Sequence, residues 1–243
     1  SPVSGTEEPT QPDNPSSGGG IHNGGGGGGG GSVAPKPDKP DTPDTPDNPP
    51  VDKNPFSDVD EKSWSYKYIK GLYDEGIISG DGDGNFNPGS TVKREEFLKM
   101  LMGALKIDVD SDAENTFSDV DGNAWYAPYV LTSKKLGIVN GISDGKFGID
   151  ANISRQDMSV MIARILSSMD VSADKDEESF ADNDEIADYA ADAVYMMKKL
   201  GIIKGYENKF NPKGDLTREE AASVIYSLIE YVNSLKTEAE QEK

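Results

Sequence analysis

The chain carries only four arginines among its 24 lysines and arginines, namely Arg94, Arg155, Arg164 and Arg218. Three of them stand in one repeated pattern: "VKREEF" at 92–97, "ISRQDM" at 153–158 and "LTREEA" at 216–221. Lysine would supply the charge, so the choice of arginine points to its planar, bidentate fork, which matches a carboxylate. A cation in the first turn of a helix opposes the helix dipole, so the arginines are expected to face an anion. Open N–H groups at the same helix starts would favour negative charge as well. The competing reading is an internal ion pair, to Asp58, Asp119, Asp182 or another acid nearby. The flanking residues have their own local explanation. Ser154 with Asp157, and Thr217 with Glu220, have capping-box spacing. Lys93 replaces the hydroxyl in the first copy, breaking the box there, adding positive charge and leaving Thr91 as an alternative cap.

The rest of the pattern repeats too, which is the signature to seek first in any chain. "FSDVDEKSW" at 56–64 recurs as "FSDVDGNAW" at 117–125 and weakly as "FADNDEIADY" at 180–189. "EGIISGDGDGNFNP" at 75–88 recurs as "LGIVNGISDGKFGI" at 136–149 and "LGIIKGYENKFNP" at 200–212. Phe56 to Phe117 and Arg94 to Arg155 are both 61 residues apart; the next intervals are both 63. Each copy reads as helix, loop, helix. Tyr68, Ile69, Leu72 and Tyr73 share a helical face that a glycine cap ends at Gly76. The second helices place apolar residues at spacings of three and four: Phe97, Met100, Leu101, Ala104 and Leu105; Met158, Met161, Ile162, Ile165, Leu166 and Met169; Ala221, Ile225, Leu228, Ile229 and Val232. A unit of this size buries too little surface alone, so the expectation is a mainly α, pseudo-threefold domain with one helix per unit along a shared axis. Trp64 and Trp125 occupy equivalent positions, with Tyr189 in the third copy. They could pack, or could cover the apolar face of a sugar.

Composition bounds the rest. Residues 1–55 are Gly, Pro, Asp, Ser, Thr and Lys with few large apolar side chains, so they are expected to be a disordered tether. That tether has a glycine run at 24–31 and a proline-rich spacer at 35–50 that reaches roughly 50 Å. The sole histidine, His22, lies in it. The net charge of −20 argues against a nucleic-acid partner, which needs a basic footprint, and against an anionic membrane surface. No run of eighteen apolar residues predicts a membrane span. There is no cysteine, so neither disulfides nor thiolate metal sites are expected. The chain begins with serine and shows no signal peptide, which suggests a trimmed or mature segment. "DGDGN" at 81–85 invites a calcium reading, but an EF-hand loop from Asp81 would need Gly and Glu where Phe86 and Val92 stand. Turn chemistry explains it better. No catalytic, metal or cofactor motif is found.

Taken together, these residues resemble the S-layer homology (SLH) family. The pattern is "FSDV…W", "GIISG", "FNP" and "KREE" in the first copy. It is "FSDV…W", "GIVNG", "FGI" and "SRQD" in the second, and "FADN…Y", "GIIKG", "FNP" and "TREE" in the third. The resemblance covers about 56–232 and implies SLH motifs at 56–109, 117–171 and 180–235, followed by an acidic tail at 236–243. It implies a three-pronged spindle around a central helical bundle, a monomeric pseudo-trimer. The implied function is non-catalytic, non-covalent anchoring of an exported protein, most typically in Gram-positive bacteria, to an acidic secondary cell-wall polysaccharide carrying a pyruvate ketal. Arg94, Arg155 and Arg218 would take the carboxylate in grooves between motifs. Gly80, Gly141 and Gly205 would permit close approach, and Asp58, Asp119, Trp64 and Trp125 would orient or stack the sugar. Lys93, Ser154 and Thr217, which precede the arginines, join the candidate ligand-binding residues. No cofactor, metal or membrane insertion is implied. The alternative function is the anchoring domain of a self-assembling S-layer protein. The copies differ, so the grooves are not expected to bind equally.

Overall fold

The computed structural model describes residues 53–173 and 180–241; the tether and His22 lie outside this range, apart from residues 53–55. The described chain is mainly α, as the spacing predicts. The helices are α1 (Tyr66–Asp74), α2 (Arg94–Ala104), α3 (Ala127–Lys135), α4 (Arg155–Ser168), α5 (Asp188–Lys199) and α6 (Arg218–Gln241), with a 3₁₀ turn at Asn183–Glu185 before α5. Helix α6 continues through most of the acidic tail.

The first helix of each motif stops at a left-handed glycine, Gly76, Gly137 or Gly201. After Gly76 the chain closes a Schellman turn: the Gly76 N–H donates to the Tyr73 carbonyl and the Ile77 N–H to the Leu72 carbonyl, both at 2.9 Å. The chain then reverses through the glycine-rich loop and enters the second helix at the arginine.

The helices pair between motifs. Helix α1 packs on α6, α3 on α2, and α5 on α4, with a further contact between α2 and α6. A motif therefore shields its second helix with the first helix of a neighbour, and the last helix closes back onto the first. Just before the second helices, three backbone hydrogen bonds form a cycle that visits each motif once. Val92 N–H donates to Leu216 O (2.9 Å), Leu216 N–H to Ile153 O (3.0 Å), and Ile153 N–H to Val92 O (3.0 Å). All three side chains are buried.

The core is one cluster drawn from all three motifs. Equivalent phenylalanines pair within each motif: Phe56 with Phe86, Phe117 with Phe147, and Phe180 with Phe210, at centroid distances of 5.3, 5.9 and 5.4 Å. The single-stripe reading of the second helices is too narrow. Leu98 and Met102 are fully buried as well, because α2 is covered by both α3 and α6. Met169, expected on the buried face of α4, stands past its last turn and is exposed.

Candidate functional site

Each motif arginine reaches into the following motif and lies against a phenylalanine. The Arg94 Nε donates to the Phe147 carbonyl (3.3 Å), that of Arg155 to Phe210 (2.7 Å), and that of Arg218 to Phe86 (2.7 Å). Their guanidinium carbons sit 5.3, 5.4 and 4.6 Å from the centroids of the same rings. This explains the avoidance of lysine. An Nε donor, a flat face for the ring and further N–H groups pointing onward exist together only in arginine.

The onward nitrogens distinguish the three. Arg94 Nη1 bonds Asp157 at 2.9 Å, and the Arg94 side chain is only 6% exposed. Arg155 Nη1 bonds Glu220 at 2.6 Å, with 14% of the arginine side chain exposed. Arg218 forms no ion pair among the described residues; its Nη2 donates to the Ser79 carbonyl at 3.1 Å. Burial pulls its pKa down, while Glu96, Asp58 and Asp81 pull it back up. Arg94 shows the same opposition between burial and the charge of Asp157. The internal partners are thus the capping-box acids of the next motif. Asp58, Asp119 and Asp182 are not the partners.

Those three aspartates tie their own motifs together. Asp58 accepts from the N–H groups of Phe86 and Asn87, Asp119 from Phe147, Gly148 and Ile149, and Asp182 from Phe210 and Asn211. Burial raises the carboxylate pKa of Asp119 and Asp182, but these N–H groups outweigh it and hold both below the usual value.

The helix starts are not open to an anion in the way their sequence suggests. The N–H groups of Arg94, Arg155 and Arg218 donate to the carbonyls of Ala151, Gly214 and Ser90, and those of Gln156 and Glu219 to Pro212 and Pro88. The Thr217–Glu220 box closes in both directions, and Ser154 caps Asp157 N–H at 3.2 Å. In the first copy half the box survives, since Glu96 accepts from the Lys93 N–H. Thr91 does not cap: its hydroxyl and the Lys93 ammonium both donate to Asn152. Lys93, Ser154 and Thr217 therefore gather at the backbone cycle rather than at a groove.

Among the described residues, two grooves between motifs stand out. The larger, about 540 Å³, is lined by Trp64 and Tyr68 of the first motif, Arg155 of the second, and Ile202–Tyr206 with Glu220, Ser223 and Ser227 of the third. The other, about 240 Å³, brings together Trp125, Arg218, the loop Ile77–Ser79, and Glu96, Lys99 and Met100 of α2. An adjoining hollow shares Ile77 and Lys99 and adds Gly103, Lys106 and Tyr129. Both tryptophans are more than half exposed, so neither is there to fill the core. Lys99 hangs 5.3 Å from the Trp125 centroid. The third arginine, Arg94, faces Tyr189 instead of a tryptophan. The Tyr189 hydroxyl donates to Asp157 (2.8 Å) and accepts from Gln156 (3.0 Å). Burial and Asp157 push its pKa up to about 12.

Of the glycines, Gly205 lies in the larger groove. All three sit beneath the first phenylalanine of their own motif: a Cβ at Gly80, Gly141 or Gly205 would meet Phe56, Phe117 or Phe180 at 3.0 Å or less. Lys99, Tyr68, Tyr206, Ser223 and Ser227 were not among the candidate ligand-binding residues; Tyr68 was placed only on the shared face of the first helix. Their only signal is position: Lys99 and Ser223 stand five residues after their motif arginines.

Repeated helix–loop–helix units, arginines shared between them and composite grooves define a domain built of three tandem motifs. The family model for the S-layer homology domain matches residues 55–98, 116–159 and 179–222, more than half of the chain. The chain belongs to the S-layer homology family. It is 36% identical over 186 residues to an exoglucanase, XynX, of Acetivibrio thermocellus, covering 74% of this chain and 17% of that protein. It is 32% identical over 178 residues to an endoglucanase of Bacillus sp. (strain KSM-635), covering 72% and 19%. To the S-layer protein sap of Bacillus anthracis it is 27% identical over 170 residues, covering 70% and 20%. The chain thus spans about a fifth or less of the length of these relatives. Family membership, with the surface-layer relatives, indicates an extracellular, cell-surface location. Among the described residues no helix is long and apolar enough to cross a membrane.

Proposed function

We propose that this chain anchors a protein non-covalently to the cell wall by binding an acidic, pyruvylated secondary cell-wall polysaccharide, as a monomer and without catalysis of its own. One observation carries the reading: in two separate grooves an exposed tryptophan, a ring-stacked arginine and the loop that follows a first helix converge from three different motifs. The tryptophan offers a flat apolar surface to the C–H face of a sugar. The arginine offers charge-assisted N–H groups to a carboxylate on that sugar. Arg218 is the better donor to a new carboxylate, because no protein acid among the described residues pairs with it. At Arg155 a ligand carboxylate must share the cation with Glu220. The chain's net charge of −20 repels an anionic polymer at long range, but salt screens that repulsion beyond about 8 Å.

The test is co-sedimentation of the chain with purified wall polymer before and after removal of the ketal. Arg218→Ala and Arg155→Ala should each weaken binding to the intact polymer by tenfold or more. Lys213→Ala, which removes one exposed positive charge outside the grooves, should not. Equal binding to polymer lacking the ketal would overturn the carboxylate assignment. The surface-layer relatives favour a second reading, in which the same module holds a self-assembling lattice protein. The hydrolase relatives instead favour a module carried by a single secreted enzyme. Lattice formation by the full-length protein, seen by electron microscopy, would separate the two.

A further inference from the structure

The fourth arginine has no role in the repeated motif, yet this chain uses arginine sparingly. Arg164 stands nine residues after Arg155. The same offset from Arg94 and Arg218 gives Gly103 and Ser227, and both of those small residues line the hollows beside the two grooves. In the second motif the position carries a long side chain. The Arg164 Nη1 donates to the Ile138 carbonyl at 3.0 Å, and Nη2 comes within 3.2 Å of the Asn140 side-chain amide. Ile138 and Asn140 are the counterparts of Ile77 and Ser79 in one groove and of Ile202 and Lys204 in the other.

A second contact acts on the same place. Tyr189 stands where Trp64 and Trp125 stand, and its hydroxyl bridges Asp157 and Gln156. Asp157 is thereby doubly engaged, with its other oxygen on Arg94. Tryptophan has no hydroxyl at that reach and could not make this bridge. At the corresponding place in the Arg218 groove, Glu96 makes no ion pair with the arginine.

We infer that the module is bivalent: Arg164 and Tyr189 close the third groove from within, and Arg94 serves as a strut while Arg155 and Arg218 take ligand. This rests on the anchoring function proposed above and adds the number of sites and the residues that set it. Two sites on one domain with a shared core, engaging a polymer that repeats its acidic sugar, hold it far more firmly than either alone.

Four arginines give four side-chain Nε–H resonances, which makes the test direct. The full chain, labelled with ¹⁵N-arginine, is titrated with a monosaccharide carrying a pyruvate ketal. Two resonances, assigned to Arg155 and Arg218 by single substitution, should shift with saturation. Those of Arg94 and Arg164 should stay fixed, and calorimetry should return a stoichiometry of two. The double variant Arg164→Ser with Tyr189→Trp should raise that stoichiometry to three and bring the Arg94 resonance into the titrating set. If Arg94 shifts alongside the others in the unaltered chain, the anchoring assignment stands and the bivalent reading falls. If no arginine resonance shifts, the ligand assignment falls and the inference goes with it. If the double variant folds, as judged by its thermal transition, and still binds two, Arg164 and Tyr189 are not what closes the third groove.

Discussion

Glu95 offers a sharp test of how the shared core is balanced. It occupies the second position of α2 and is only 3% exposed. One carboxylate oxygen accepts from the Asp150 N–H at 3.2 Å; the other is buried with no hydrogen-bond partner. Burial raises its pKa, and the backbone N–H groups only partly offset this, with Asp150 and Glu96 adding repulsion. The second motif shows what the site prefers. Its counterpart, Gln156, is also buried, but its amide accepts from the Ala187 N–H and donates to Tyr189. A buried polar atom without a partner costs about 1–3 kcal/mol, more when charged. Glu95→Gln is therefore expected to stabilise the fold by about 1–2 kcal/mol at pH 7.5. With a urea slope of about 2 kcal/mol/M, that moves the midpoint up by about 0.5–1 M. The sign with pH follows from linkage. An acid whose folded pKa is raised favours the folded state fully below its unfolded value, about 4.3, and loses that contribution as pH rises through the folded value. The gap between variant and parent should accordingly widen from pH 5 to pH 8. Glu219→Gln, at the same position of the third motif but partly exposed, controls for the lost negative charge. Equal midpoint shifts in the two variants, or a gap that does not change with pH, would refute the reasoning.

Three further outcomes are expected. Asp119→Asn should cost about 1.5–3 kcal/mol at pH 7, because a carboxylate holding three backbone N–H groups is replaced by a neutral acceptor. Its folded pKa is depressed, so this stability exists above the unfolded value and is lost as pH falls through the folded one; unfolding curves at pH 7 and pH 3 should show the gap closing. Gly141→Ala should destabilise by at least about 2 kcal/mol, since Gly141 has φ +92° and an added Cβ would strike the Lys146 carbonyl. Gly103→Ala, with open space around it inside α2, should instead stabilise by about 0.5–1 kcal/mol; thermal unfolding of both variants checks the opposite signs. Trp64→Ala and Trp125→Ala should leave unfolding within about 0.5 kcal/mol of the parent, because both side chains are more than half exposed, yet weaken co-sedimentation with the wall polymer.

The helices were legible because their signals are local. The glycine stops, the three-and-four spacing and the arginine starts all lie within a few residues of what they specify. The faces were less so. Met169 continues the α4 periodicity on paper, but the helix has already ended there. Leu98 and Met102 fall outside a single stripe, yet α2 is enclosed from two directions. The aromatic platforms could be proposed from Trp64 and Trp125 alone, whereas Lys99, Tyr68 and Ser227 gain meaning only beside residues from other motifs.

By itself the sequence determined the three-motif plan, the family, and the demand for arginine at each second-helix start, since repetition at fixed intervals is visible without coordinates. Tertiary structure decided what each arginine meets. Arg94 and Asp157 are 63 residues apart, Arg155 and Glu220 are 65 apart, and Arg218 and Phe86 are 132 apart. A short-range pattern cannot specify such pairings, because they arise only when α6 closes onto α1 and one motif's loop comes to rest against another motif's helix. The same closure sets Trp125 beside Arg218 and Trp64 beside Arg155, and links Tyr189 to Arg94 through Asp157.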